Sequence, residues 1–206
     1  MAQNPTYEYE ERAFLSEEQF LKIKEKLDEI CVQKEIDNKH SFFFVLPDVN
    51  ISIASSHKET KVKYKGGQLG KGNGFEEIEY NIERDSLPEA IKLFTKLLGL
   101  PPQESFQFRI NYSLDDDIEI ALNYTEMWGF HLEAERVYVA SSEAEKALKQ
   151  AESKDKLDHL ASTLGFSYIT DQEMVVFTEQ CKQEKKRGEY LNDEFRERYG
   201  ELYTHE

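Results

Sequence analysis

The run Glu8-Tyr9-Glu10-Glu11-Arg12 near the start of the chain places acidic and basic side chains at alternating positions. Alternation is typical of a β-strand, in which residues i, i+2 and i+4 lie on one face. Glu8, Glu10 and Arg12 would then lie side by side. Two carboxylates beside a guanidinium make a poor core surface, but they suit a divalent cation with an anionic ligand. A single strand of this kind is more often a solvated face of a sheet.

The same alternation recurs on later segments, most of which pair a charged face with an apolar one. About eight such strands can be read, the number at which a closed antiparallel barrel encloses side chains or one small ligand. We therefore predict an α+β fold, an eight-stranded antiparallel β-barrel with helices packed outside and a charged lumen. The lumen would contain Glu8, Glu10, Arg12, Lys61, Lys63, Lys65, Glu77, Glu79, Arg109, Glu133 and Glu135.

A confined lumen of this composition needs compensation for its negative charge. Six glutamates that face each other cannot all stay ionised unless something positive binds or some of them protonate. The lysines and arginines supply part of the balance. Divalent metals could supply the rest, because Mg²⁺ and Mn²⁺ prefer carboxylate oxygen and water. Glutamates that hold a metal opposite a row of lysines describe a site for polyphosphate, where a metal-bound water can attack in line.

The composition argues against several other partners and settings. The net charge of −15 disfavours a nucleic-acid polymer, since phosphate-coating surfaces are positive. Cys31 and Cys181 form no disulfide framework, which indicates a reducing, cytoplasmic setting. Neither an apolar signal core nor a run of about 18 apolar residues is present, so no membrane partner is expected.

Helical patterns lie between and after the strands. Patterns of the form Ser/Thr-x-x-Glu/Gln, which cap helix N-termini, begin at Ser16, Ser142 and Thr170. The first helix is predicted to reach about Lys34, and a second runs from Ser86 to Gly99. The final part, 142–206, is predicted to be helical, and no linker divides the chain, so residues 1–206 form a single predicted domain. The glycine-rich segment 66–74 lacks the P-loop pattern and is predicted to be a hairpin loop.

The strands contain five motifs: Glu-x-Glu-x-basic at 8–12, Lys65 before a glycine pair, Glu77-x-Glu79, Arg109 in a strand, and Gly129-x-x-x-Glu133-x-Glu135. Together they resemble the CYTH superfamily of triphosphate tunnel metalloenzymes over roughly residues 6 to 138. The resemblance implies a tunnel that binds a small triphosphate substrate with basic side chains and Mg²⁺ or Mn²⁺ with paired glutamates.

The resemblance also implies roles for individual residues. The metal ligands would be Glu8, Glu10, Glu77, Glu79, Glu133 and Glu135. The phosphate-binding residues would be Arg12, Lys63, Lys65 and Arg109, and the catalytic positions would be Glu8, Glu10 and Arg12. The sequence departs from the family pattern at Arg12, where lysine is usual, and at Asn50–Ala54, Phe75, Gln107 and Asn123, where a charged residue is usual. An always-protonated Arg12 cannot act as a base.

The implied function is metal-dependent hydrolysis of inorganic triphosphate or of a small organic or nucleoside triphosphate. Two alternatives stay open. One is a nucleotidyl cyclase of the class IV adenylate cyclase type, and the other is a non-catalytic protein that binds polyphosphate or nucleotide, or a partner protein. Three alternatives stay open for the charged C-terminal helices. They could cover one end of the tunnel, mediate a homodimer, or have neither role.

Overall fold

The computed structural model describes residues 6–47, 49–66, 75–114, 117–125 and 128–184. The strands in these ranges are β1 (Thr6–Phe14), β2 (Gln33–Ile36), β3 (Lys39–Val45), β4 (Val49–Ser55), β5 (Thr60–Gly66), β6 (Phe75–Ile82), β7 (Gln103–Leu114), β8 (Ile118–Thr125) and β9 (Gly129–Val139). The helices are α1 (Glu17–Ile30), α2 (Leu87–Leu98), α3 (Glu143–Leu164) and α4 (Asp171–Glu184). Within these ranges, every helix is too short or too polar to cross a membrane.

The strands close into an antiparallel barrel. Around the ring the order is β7-β3-β4-β5-β6-β1-β9-β8, and β8 pairs again with β7. Eight strands therefore form the closed wall. The predicted α+β barrel with eight antiparallel strands is confirmed.

Strand β2 is not a ninth strand of the ring. It extends the line of β3 along β7. Both β2 and β3 pair with the same edge of β7 in one continuous register. Asp37 and Asn38 interrupt the ladder, but they replace its hydrogen bonds. The Asp37 amide donates to the Arg109 carbonyl oxygen at 2.9 Å, and the Arg109 amide donates to Asn38 Oδ1 at 3.1 Å.

Helix α1 is shorter than predicted. Its N-terminus has the predicted capping box between Ser16 and Gln19, but the helix ends at Ile30 and not near Lys34. The apolar stripe loses its core contacts at this point, since Ile30 is half exposed. The chain then turns to β7, where the Val32 amide donates to the Ser113 carbonyl oxygen at 2.9 Å, and β2 takes the residues that follow.

The hydrophobic core lies outside the barrel, between its outer face and the helices. Outward-facing side chains of β1, β7, β8 and β9 pack there against α1 and α3, and the fully buried ones include Ile110, Leu122, Leu132, Phe20, Leu27 and Leu157. Each contributes roughly 1.5–3 kcal/mol through removal from water. On the other side, Phe94 of α2 packs against Phe44 of β3 with ring centroids 5.8 Å apart. The prediction of helices on the apolar strand faces is confirmed.

The helices end where glycine permits a left-handed conformation. Gly99 follows α2 with φ of 69°, and Gly165 follows α3 with φ of 82°. Thr170 and Glu173 form the predicted reciprocal cap before α4. The remainder of the predicted helical part, residues 185–206, lies outside the described residues, as do glycine-rich residues 67–74.

Candidate functional site

Strand pairing brings the alternating charged residues onto the inner face of the barrel. Glu10 lies opposite Glu135 across β1 and β9, and residues opposite each other in a ladder share a face. Lys63 lies opposite Glu79 across β5 and β6 in the same way. By this register the lumen contains every charged residue predicted for it: Glu8, Glu10, Arg12, Lys61, Lys63, Lys65, Glu77, Glu79, Arg109, Glu133 and Glu135.

Two arginines from different strands hold Glu133. Arg109 Nη1 donates to Glu133 Oε2 at 2.8 Å, and Arg12 Nε donates to Glu133 Oε1 at 3.4 Å. Arg109 is held in turn by Asn111, whose Oδ1 accepts from Nε at 2.6 Å. Burial alone would raise the pKa of Glu133, but Arg109 and Arg12 hold it well below its usual range. Glu133 is therefore a permanent anion that fixes both guanidinium groups.

A second group joins Lys65 to the two glutamates of β1. Lys65 Nζ lies 2.6 Å from Glu8 Oε1 and also pairs with Glu10, which pairs with Arg12. Burial alone would lower the pKa of Lys65, but Glu10 and Glu8 raise it, so the amine stays charged. Burial raises the pKa of both Glu8 and Glu10 in spite of this lysine. The positive charge here does not fully compensate the two carboxylates.

The third group lies on β5 and β6. Lys63 Nζ lies 3.1 Å from Glu77 Oε1 and also pairs with Glu79, while Lys61 Nζ lies 3.0 Å from Glu79 Oε2. Burial would raise the pKa of Glu79, but Lys63 and Lys61 lower it to about 2. These side chains form an alternating row of charges along one wall.

Glu135 differs from the other lumen glutamates because it has no ion-pair partner within 4 Å among the described residues. Burial, followed by the repulsion of Glu8 and Glu10, raises its pKa to about 7. Near neutral pH this carboxyl group is therefore poised between its two protonation states.

Comparison with known proteins finds the fold, but no sequence match. No protein-family model matches the chain, and a search of the curated proteins finds no match. Among solved structures, a conserved hypothetical protein from Pyrococcus furiosus has a TM-score of 0.59 at 22% identity, covering 78% of this chain and 91% of that one. A candidate adenylyl cyclase from Hippeastrum, described as having a dominant triphosphatase activity, has a TM-score of 0.56 at 16% identity, covering 85% and 96%.

Several of the structural neighbours have the fold of CYTH-like triphosphate tunnel proteins. The chain has the triphosphate tunnel fold. The resemblance found in the motifs is confirmed at this level. One further neighbour is a chain of the Schizosaccharomyces pombe Mediator head module, with a TM-score of 0.58 at 14% identity, covering 76% of this chain and 95% of that one. Structural similarity at such low sequence identity shows a shared fold, but it does not show a shared activity.

Whether the tunnel suits a divalent metal can be judged from its carboxylates. Among the described residues, no three Asp, Glu, His or Cys side chains are grouped as ligands of one ion, since most lumen glutamates turn toward lysine or arginine. The chemistry of Glu8, Glu10 and Glu135 nevertheless fits an oxygen-preferring cation. Burial, together with repulsion by neighbouring carboxylates, raises their pKa values, and a divalent cation would favour their charged forms.

Aromatic rings gather at the end of the tunnel beyond Arg12. Phe177 of α4 packs on Phe14 with ring centroids 4.1 Å apart, and Trp128 lies 5.3 Å from His131. His131 Nδ1 forms a hydrogen bond with the Gly129 carbonyl oxygen at 2.9 Å. This bond supports a structural role for His131 in the barrel, which is the more common role for a single histidine. Within the described chain, its Nε2 atom has no hydrogen-bond partner.

Asn123 and Lys39 lie on the inner face of the barrel but were not predicted to bind the metal or the phosphate. Asn123 is fully buried opposite His131, and neither of its side-chain polar atoms has a hydrogen-bond partner in the described ranges. Lys39 also faces the lumen, opposite Gln107 at the first position of β3. The two-residue spacing between Lys39 and Ser41 would have predicted that both lie on one face, but only if the strand is taken to begin at Lys39.

The Glu135 carboxyl gives the tunnel a testable pH dependence. In the absence of metal we expect it to titrate near pH 7, against an ordinary value of 4.5. The folded protein binds this proton more tightly than the unfolded chain, so the stability it contributes is complete below about pH 4.5 and is lost as pH rises through 7. Urea unfolding at pH 5 and 8 would measure this, and Glu135→Gln should remove that part of the difference. An unchanged difference in the variant would contradict the assignment.

Proposed function

We propose that this protein is a divalent-metal-dependent hydrolase of inorganic triphosphate or of a small organic or nucleoside triphosphate. The observation that supports the proposal is the set of cation–carboxylate pairs inside one closed tunnel. Lys63, Lys65, Arg12 and Arg109 come from three different strands and converge on glutamates of β1, β6 and β9. So many charges in one lumen are costly unless a ligand uses them.

The pairing suggests how a triphosphate would enter this network. Its oxygens would replace carboxylates as partners of Lys65 and Lys63, since lysine is a strong phosphate ligand. Glu8 and Glu10 would then be released from Lys65. Together with Glu135 they are the carboxylates we assign to Mg²⁺ or Mn²⁺. When bound, such an ion would neutralise phosphate oxygens and lower the pKa of an attacking water.

The other charged residues then receive positioning or electrostatic roles. Glu133 holds Arg109 and Arg12 in place, and Glu77 and Glu79 hold Lys63; these three glutamates are proposed as outer members of the metal set. The Arg12 guanidinium stays protonated, because Glu10 and Glu133 raise its pKa against the effect of burial. It would therefore stabilise charge on the phosphate oxygens in the transition state and would not act as a base.

The Lys65→Ala variant tests the phosphate contact. We expect it to weaken tripolyphosphate binding at least about tenfold, because one charge-assisted contact is removed, and to affect orthophosphate less. Isothermal titration calorimetry with both anions measures this. Lys58→Ala is the control, since Lys58 is exposed and pairs with Glu35. Equal losses for the two anions would contradict a grip on several phosphates.

The reaction itself is tested by phosphate release from tripolyphosphate, ATP and thiamine triphosphate, with Mg²⁺, with Mn²⁺ and with EDTA. Metal-dependent release from one of them is the expected result. Formation of a cyclic nucleotide and pyrophosphate from ATP would instead identify a cyclase. Absence of turnover with every substrate would overturn the enzyme proposal.

A non-catalytic tunnel protein is the second candidate, because β4 presents no cation to the lumen. Its inward positions are Asn50, Ser52 and Ala54, which lie opposite Lys65, Lys63 and Lys61. A chain of the Mediator head module has the same fold, so the tunnel architecture also occurs in a multiprotein assembly. Binding of tripolyphosphate without turnover would support this candidate.

A further inference from the structure

Lys39 is the lumen cation with the weakest ion pair. Its Nζ atom lies 3.5 Å from Asp37 Oδ2, and the described residues bring no other carboxylate within 4 Å. In contrast, Lys61 lies 2.7 Å from Glu59 and also pairs with Glu79. The Lys39 side chain is only 23% exposed, so water solvates it poorly.

Burial has the largest effect on the Lys39 amine, and neighbours of both charges add to it. Burial, Arg109 and Lys63 lower its pKa to about 8, and Asp37 and Glu133 oppose this only in part. The exposed His57 ring also lies near Asp37, with Nδ1 3.6 Å from Oδ1. An amine in this position gains from any bound anion.

Lys39 also lines a small cavity. It measures about 30 Å³ and is lined by Lys39, Lys61 and Lys63, together with Ala54, Ser56 and Glu59. Three lysines from two strands, together with Glu59, therefore line one space. A cavity of this size holds water molecules, and water is readily replaced by the oxygens of a larger anion that enters along the tunnel.

Lys39 also lies beside wall positions that carry no positive charge. Gln107, opposite Lys39, is uncharged, and Ala54 lines the same cavity from β4. We propose that Lys39, with Lys61 and Lys63, forms a subsite for one phosphoryl group and supplies the positive charge that Ala54 and Gln107 lack. This inference rests on the proposed function, since it takes the phosphoryl group to belong to a polyphosphate in the tunnel.

Calorimetric binding of tripolyphosphate to the full chain tests the subsite. Lys39→Gln should weaken binding about tenfold or more, because it removes a charged hydrogen-bond donor. Lys39→Arg should bind within about threefold of the unmodified protein, since it keeps the charge. The exposed Lys58→Gln should bind unchanged, and circular dichroism checks that each variant is folded.

A second measurement does not depend on the glutamine variant. At pH 8 the unmodified protein should take up more protons on binding tripolyphosphate than Lys39→Arg, because arginine is already fully protonated. Titrations in two buffers of different ionisation enthalpy measure this uptake. Equal uptake by the two proteins would overturn the subsite.

The outcomes separate the subsite from the proposed function. Tight binding by both the unmodified protein and Lys39→Gln would overturn the subsite and leave the proposed function standing. Equal weakening in Lys39→Gln and Lys39→Arg would overturn the subsite as well, because charge would not be the cause. Failure of the folded, unmodified protein to bind tripolyphosphate would overturn both.

Discussion

Glu135→Gln is expected to reduce metal-dependent phosphate release from tripolyphosphate by on the order of 100-fold or more. Loss of even an outer contact to a metal ligand commonly costs 10–100-fold, so loss of a ligand should cost at least as much. The protein should stay folded, since Glu135 has no ion pair to lose among the described residues. Steady-state release assays at saturating Mg²⁺ or Mn²⁺ measure the effect.

The matched control for this experiment is Glu119→Gln. Glu119 lies opposite Glu135 across β8 and β9 and therefore on the same face of the sheet, but it differs from Glu135 in being exposed to solvent. It should keep the activity of the unmodified protein. Retention of more than about a tenth of the activity in Glu135→Gln would remove Glu135 from the metal site.

Arg109→Leu is expected to lower the free energy of unfolding by about 3–5 kcal/mol, the cost of breaking a buried ion pair from one side. Arg109 and Glu133 are each only 14% exposed. Without Arg109, the ion pair left to Glu133 among the described residues would be the one with Arg12, whose Nε lies 3.4 Å away. Urea denaturation followed by circular dichroism measures the loss.

Two further variants show whether burial is the cause. Combining Arg109→Leu with Glu133→Leu should recover most of the stability, because neither charge is then left unpaired. Lys154→Leu breaks an ion pair of 2.6 Å whose side chains are 55% and 50% exposed, and it should cost less than about 1 kcal/mol. A similarly small loss in Arg109→Leu would show that the lumen pair is solvated.

Much of this fold was predictable because strands and helices bury side chains with different periods. The two-residue alternation of Glu8, Glu10 and Arg12 placed them on one face, and pairing with β9 puts that face inside the barrel. The capping box at Ser16 predicted the first residue of α1. These features depend on neighbours a few positions away, which a sequence displays directly.

What could not be predicted depends on contacts between distant strands. Glu133 is held by Arg109 because the ring closes in one particular register, and the same register leaves Glu135 without a cation. Lys39 was missed because Asp37 and Asn38 interrupt its strand, where one backbone bond and one side-chain bond to β7 replace the ladder. Short-range patterns carry no signal for the register in which the ring closes, and they include Lys39 only once the first residue of its strand is known.

The pairing of β1 with β9 also bears on how the protein reaches its folded state. All nine residues of β1 pair with β9, whereas the described residues give β1 only two paired positions with β6. The first strand of the barrel is thus held mainly by the last. During synthesis it must wait for nearly the whole barrel to emerge, and closing such a long loop carries an entropic cost that slows folding. Strand β1 therefore joins the barrel late in the folding of each newly synthesised chain.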